Sequence, residues 1–529
     1  MTAKKTKPVS NSFLKERITS FHIASFIGMT CLFLLLRWNT FSIPFERDEG
    51  EYAYAARLLS NNEMPYEHSF LQKPPMIVYT YMVGQFISEH SIVLPRILAS
   101  LSVYFTIVLT GLIVARERNH FIGLAVMWIM VPMISLPAVF PFAANTEVFM
   151  ILPMMVTFFL FMWKKGDASL LHWFIAGCSG AIACLYKPIA APVLVFIVLL
   201  WQYELWKSTK SISALIKHTI VIVAGVAGTA LLFLLPFIIH DGAKTLRECV
   251  IDYNIVYTSS DQNGYSSFFY YMSVLWRTWW IVFLLPFWLI IKRPALWWGY
   301  FGAIIISLIT ISRTAIGHYY ILAIPFLAIA SIIALDSLFT SISIFSNKGS
   351  VGAKVVVVGV IILILSSSNF RLLSLSSEEL CIEAYGNQNP FIEAQLMATK
   401  LSENSKQSDN IFIAGSEPEI LYYADRKSLS RFVIMYPLMI PTPAALTYQQ
   451  EVIQSLQQNP PDDIIYATPQ ASWLTTERSP KLFMPFLEKL LSSQYKAIGG
   501  TLLNSRVWVD NPSAKDAKNF SLILFKRLQ

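Results

Sequence analysis

About eleven apolar runs, most of them nearly long enough to cross a bilayer, recur along the 529 residues. They centre near Met29, Phe105, Met127, Met154, Gly177, Val195, Gly228, Val282, Ile305, Leu327 and Val360. A spanning helix needs ~20 mostly apolar residues. In lipid, backbone polar groups can be satisfied only inside helices or closed barrels. The pattern predicts a polytopic α-helical membrane protein with about eleven spans by that rule. Only 14% of residues are charged, against about 25% in soluble proteins. The first run, about Phe21 to Trp38, is too long for a signal-peptide core, lacks a convincing cleavage site and reads as a retained first span. The runs 121–139 and 147–162, and 172–186 and 189–206, are separated by very short links.

The basic residues fix an orientation. With Lys4, Lys5, Lys7, Lys15 and Arg17 inside, the even-numbered runs return to Arg116/Arg118, Lys164/Lys165, Lys207/Lys210/Lys217, Lys292/Arg293 and Lys348/Lys354. The opposite short connections, such as PFAANTE (141–147), are poor in Lys and Arg. Lys and Arg collect on cytoplasmic loops, so the net charge of +8 is read as topology. The basic residues form no block, which argues against nucleic-acid binding. The five Cys show neither CxxC nor zinc spacing, and a Cys249–Cys381 bridge has only its location to recommend it.

This orientation places three sizeable segments outside: about 40–93, 240–267, and the tail after about Asn369. The tail alternates strand-like runs (IFIAG, DIIYA, SLILF) with helix-like ones (PFIEAQLMATKLSEN, AALTYQQEVIQSLQQ). It is predicted to form an extracytoplasmic α/β domain over 370–529, after a short cytoplasmic tail at 1–20 and a membrane domain at 21–369. No internal repeat of the kind common in transporters is seen.

The first outer segment opens with FERDEGEY (45–52), in which five of eight residues are charged. A helix is predicted from Asp48 to about Asn61, with Tyr52, Ala55, Ala56 and Leu59 as its apolar stripe. Asp48 and Glu49 then read equally as helix-start acids and as reacting groups. Farther on, Lys73 precedes Pro74 and Pro75, which open a second, short helix over about 75–88, expected to lie along the interface. A cation at a helix start opposes the dipole. Lys73 therefore reads as snorkelling or as an anion ligand beside free amides. Glu147 is a helix-start acid. Lys187 lies between two apolar runs, where a charge is costly. Arg313, His318 and Tyr319 sit just outside a span. No P-loop, GxGxxG, GxSxG or HExxH is present.

RDEGEYAYAARLL, then QKPPMIVYTY, then LPRILASL, with a later Arg-x(4)-HYY-x(4)-P, resembles the GT-C glycosyltransferases. It is most similar to the bacterial glycosyltransferase family 39 and dolichyl-phosphate-mannose–protein mannosyltransferase group, which includes the lipid A aminoarabinose transferases. The likeness covers roughly 20–340. It implies an inverting transfer of a sugar from a polyprenyl monophosphate, undecaprenyl phosphate in a bacterium, to a lipid, glycan or protein acceptor outside the cytoplasmic membrane. It also implies Asp48 as base, Glu49 and Glu147 as orienting acids, and Lys73 at the donor phosphate. Arg313 is the candidate for a second cation there. Tyr52, Tyr319 and His318 are candidate substrate-binding residues. A divalent metal is a possible cofactor in that group, but the aminoarabinose transferases carry Glu where this chain has Gln72, a poor metal ligand beside a carboxylate. Two other functions compete. A transporter or flippase of lipid-linked sugars would bury charges at mid-membrane, and a scaffold would tolerate loss of Asp48.

Overall fold

The computed structural model describes residues 17–163, 169–259, 265–292, 297–313, 316–342, 351–512 and 519–528. Lys4, Lys5, Lys7, Lys15, Lys164, Lys165, Arg293 and Lys348 of the orientation argument lie outside the described residues.

The centre of each of the eleven apolar runs falls within a helix, from α1 (Ser20–Leu35) to Val351–Ser366. The longest are Ile212–Ile239 with 28 residues and Val93–Glu117 with 25. The short links are real breaks. The Leu170–Tyr186 helix stops at Lys187, whose extended backbone (φ −157°, ψ 125°) suits the residue before Pro188. The next long helix starts at Ala191.

Residues 411–527 carry a five-stranded sheet in the order β1 (Ile411–Ala414), β2 (Asp463–Ala467), β5 (Phe520–Arg527), β3 (Tyr495–Leu502), β4 (Trp508–Asp510). β1 and β2 run parallel and the other pairs antiparallel. The three strand-like runs read from sequence are β1, β2 and β5, and the two helix-like runs are Phe391–Asn404 and Ala445–Gln458. β3 escaped notice because Gly499 and Gly500 interrupt its pattern. A Cβ on Gly499 would lie 1.8 Å from the Trp508 ring, so the pairing of β3 with β4 needs glycine there.

The sheet-bearing tail and the first outer segment pack together, so they share one side. The helix α2 (Arg47–Ser60) starts with a reciprocal cap. Glu46 accepts from the Asp48 amide (3.1 Å) and the Glu49 amide (3.3 Å), and Glu49 accepts from the Glu46 amide (3.2 Å). One face of α2 buries Tyr52, Ala55 and Ala56 in the main core. The other buries Tyr54 and Leu58 against Met397, Ile411, Ile420 and Val433 of the tail. Polar contacts add to this seam. Arg47 meets Glu417 at 3.2 Å, the Ser428 amide donates to the Tyr54 hydroxyl (3.0 Å), and the Phe70 amide donates to the Arg431 carbonyl (2.6 Å). Arg431 in turn bridges Glu451 (2.7 Å) and Glu248 (3.1 Å), tying in the segment after Ile239. The second short helix is Met76–Ile87, with Ile77, Val78 and Tyr81 buried and Val83, Phe86 and Ile87 exposed.

Candidate active site

A cavity of about 470 Å³ opens where four stretches of chain meet: the start of α2, the Gln72-Lys73-Pro74 turn, the break at Lys187-Pro188, and Ile316–Tyr319. Val250 to Thr258 close one wall, and Ile434 and Tyr436 of the tail close another. The Val250–Thr258 wall is latched to the turn, since Asn254 Nδ2 donates to the Gln72 carbonyl (2.9 Å), and from outside the cavity the Tyr66 hydroxyl donates to the Lys73 carbonyl (2.8 Å).

Two charged pairs stand in this cavity. Asp48 Oδ2 is 4.0 Å from Lys73 Nζ. Burial alone would depress the Lys73 pKa, but Asp48 first, with Tyr319, Glu51 and Glu147, overrides it and holds the ammonium above its ordinary value. The second pair is Lys187 with Glu147, in direct hydrogen-bond contact. Glu147 also accepts from the Thr146 hydroxyl (3.0 Å) and faces His318 Nε2 at 3.5 Å. Each partner suits its helix end: Glu147 lies in the first turn of Thr146–Trp163, and Lys187 follows the last turn of Leu170–Tyr186. Lys187 Nζ also sits 3.8 Å from the centroid of the Tyr319 ring, a cation–π contact. Burial lowers the His318 pKa, against the pull of Glu147.

Asp48, Lys73, His318 and Tyr319 thus line one cavity, and Glu147 joins it through Lys187. The other sequence candidates lie elsewhere. Glu49 is fully buried and held by Arg96, with Nη2 to Oε2 at 2.5 Å and Nε to Oε1 at 3.0 Å, and it accepts from the Ala144 amide at 2.9 Å. It fastens α2 to the helix bearing Arg96 and to the loop before Glu147. Tyr52 is buried edge-on against Tyr81, 5.7 Å between ring centroids. Its hydroxyl makes no hydrogen bond among the described residues. Arg313 is exposed and does not line the cavity. The second cation there is Lys187.

Sequence reading left Glu51 out. It is 3% exposed, one helical turn beyond Asp48, and lines the cavity. Burial raises its pKa to about 8, with Lys73 opposing and Asp48 adding to the rise. The i, i+3 spacing from Asp48 was the available signal, since it puts both carboxyls on one helix face. Among the described residues no group of three or more His, Cys, Asp or Glu side chains comes together as a metal site. Asp48 is partnered by a lysine and Gln72 is neutral, so the residues present do not form a metal-ligand set.

No family profile and no curated protein sequence matches this chain. Solved structures do. ArnT from Cupriavidus metallidurans bound to undecaprenyl phosphate aligns over 96% of this chain and 98% of its own, at 12% identity and a TM-score of 0.59. Its apo state aligns over the same shares with a TM-score of 0.61. The Archaeoglobus fulgidus oligosaccharyltransferase, in a complex with Zn and sulfate, aligns over 93% of this chain and 73% of its own, at 11% identity and 0.52. At these identities the likeness is one of fold, and the chain has the polytopic GT-C membrane fold, followed by its own C-terminal sheet-bearing region.

Proposed function

We propose that the protein is an inverting membrane glycosyltransferase that moves a sugar from a polyprenyl monophosphate to an acceptor on the outer side of the cytoplasmic membrane. The single observation that carries this reading is the Asp48–Lys73 pair, 4.0 Å apart in the wall of a 470 Å³ cavity with a second lysine, Lys187. Transfer from a phosphate carrier needs a base for the acceptor and cations for the leaving group. Asp48 takes the proton from the acceptor hydroxyl as its oxygen attacks the anomeric carbon. The bond from that carbon to the phosphate oxygen breaks on the opposite face, and configuration inverts. The electron pair leaves with the lipid phosphate, whose charge Lys73 and Lys187 meet. Glu147 and Tyr319 hold Lys187 in place, and no step is assigned to a metal.

The basic inner connections support an inside N-terminus. The outer segment 40–93 and an α/β domain over 370–529 would then face outward. The fold shared with ArnT bound to undecaprenyl phosphate supports that lipid as carrier.

The test is transfer of radiolabelled sugar from a panel of polyprenyl-phosphate sugars by purified protein, with membrane extract as acceptor source. Asp48→Asn is expected to reduce transfer at least ~100-fold, the scale of a lost general base. Transfer that survives in Asp48→Asn removes Asp48 from that role. No transfer from any donor by wild type turns attention to lipid flipping.

A further inference from the structure

Glu51 is a buried carboxyl with no evident use in the fold. Asp48 pairs with Lys73, Glu49 with Arg96, and Glu147 with Lys187. Among the described residues no hydrogen bond or ion pair reaches the Glu51 side chain, which is 3% exposed and faces the cavity. The Gln72 carboxamide lines the same cavity, and only its backbone carbonyl is engaged, by Asn254. The Glu51 carboxyl and the half-buried Gln72 amide thus face the same cavity without a protein partner for their side chains, and together they mark a place where a polar ligand sits.

We propose that Glu51, with Gln72 in the same cavity, forms the subsite that holds the hydroxyl groups of the transferred sugar, apart from the lysines that hold its phosphate. The inference rests on the donor reading given above and deepens it.

The chemistry separates the two ends of the ligand. A phosphate belongs at Lys73 and Lys187, the two cations that line the cavity, whereas the Glu51 carboxyl offers it no cation. A sugar hydroxyl both donates and accepts, so it satisfies Glu51 in either protonation state and satisfies both ends of the Gln72 amide. Burial lifts the Glu51 pKa to about 8, so at pH 7 the acid is mostly neutral and can donate as well as accept. Placement agrees. Three residues of helix advance about 4.5 Å, comparable to the breadth of a sugar ring. With its anomeric carbon beside Asp48, the ring would extend toward Glu51. Two other polar lining residues are already committed: Lys73 to Asp48, and Asn254 to the Gln72 carbonyl.

The test is equilibrium binding to the full chain in detergent. The probes are undecaprenyl phosphate alone and the same carrier bearing glucose, mannose, galactose or arabinose. Glu51→Ala is expected to weaken at least one sugar-bearing carrier about tenfold, the scale of one lost hydrogen bond. It should leave the bare carrier within about twofold, which also serves as the folding control. Glu51→Gln, which keeps a neutral donor and acceptor, is expected to restore most of the loss. Equal weakening of bare and sugar-bearing carriers, or no weakening of either, overturns the subsite. So does a wild type that binds all five probes equally. Failure of wild type to bind even the bare carrier instead overturns the donor reading, and the role of Glu51 with it.

Discussion

Gly50 and Glu419 meet at the backbone: a Cβ built on Gly50 would lie 2.5 Å from the Glu419 amide nitrogen and 2.6 Å from its Cβ. The glycine sits in the first turns of α2, two residues after Asp48, and Glu419 opens the short tail helix Glu419–Ala424. The tail therefore rests directly on the helix that carries the proposed base.

Gly50→Ala tests that contact. Neither partner atom is the tip of a flexible side chain, so the extra methyl must push the tail away. Overpacking of this kind costs about 1–3 kcal/mol. The expected result is a lower Tm in detergent and faster proteolysis within residues 370–512 than in wild type. An unchanged Tm and digestion pattern would show that the two segments part without cost.

Glu49 and Asp48 are neighbours with opposite expectations. Removing Glu49 leaves Arg96 buried without its carboxylate, and breaking a buried pair costs about 3–5 kcal/mol. Glu49→Ala is expected to lose folded protein, while the folded fraction keeps most of its turnover. Asp48→Asn is expected to do the reverse. Measuring Tm and transfer per folded molecule for both variants separates the roles, and a stable but inactive Glu49→Ala would place Glu49 back among the reacting groups.

Much of this was legible in the chain. The eleven apolar runs, the α2 helix and the proline-led helix Met76–Ile87 follow from periodicity and helix-start residues. Asp48 and Lys73 stood out as charges beside apolar runs. Periodicity, however, assigns α2 one buried stripe, whereas the tail covers its opposite face through Tyr54 and Leu58. That second covering is contributed by residues more than 300 positions away, and Ile434 and Tyr436 of the same tail line the cavity that Glu51 faces. Arg313 was chosen for its place just outside a span. Lys187, which reads from sequence as a costly charge, is the residue that lines the cavity, and beyond the Pro188 break it pairs with Glu147.

Lys187 and Arg313 therefore invite a direct comparison. Loss of a group that stabilises charge developing in the transition state costs about 10²–10³ in kcat. Lys187→Met is expected to lose transfer on that scale, and Arg313→Ala to lose far less. Glu147→Gln combined with Lys187→Met should be less harmful than the two single losses multiplied, since the residues act as a pair. If Arg313→Ala proves the more damaging variant, the phosphate lies nearer the exposed end of that segment.

The last prediction concerns pH. Glu419 is fully buried against Arg47 and Glu417, and neither of its side-chain oxygens has a hydrogen-bond partner among the described residues. Burial first, then the neighbouring Glu417, raises its pKa well above the ordinary value, with Arg47 opposing. Glu51 is raised in the same direction, to about 8. An acid whose pKa is higher in the folded state binds more protons folded than unfolded between its two pKa values. Stability then falls as pH rises through that window. For Glu51 the window runs from its ordinary value of 4.5 to about 8. His318, whose pKa is lowered, acts with the opposite sign and only at or below its ordinary value of 6.5. Between pH 6.5 and 8.5 the acids dominate, so Tm is expected to fall. Glu419→Gln keeps the shape of the neutral acid and cannot ionise, so it should flatten the fall and be the more stable protein at the alkaline end. A Tm profile in Glu419→Gln that declines as steeply as wild type would mean that this carboxyl is not the group releasing its proton at the seam between the tail and α2.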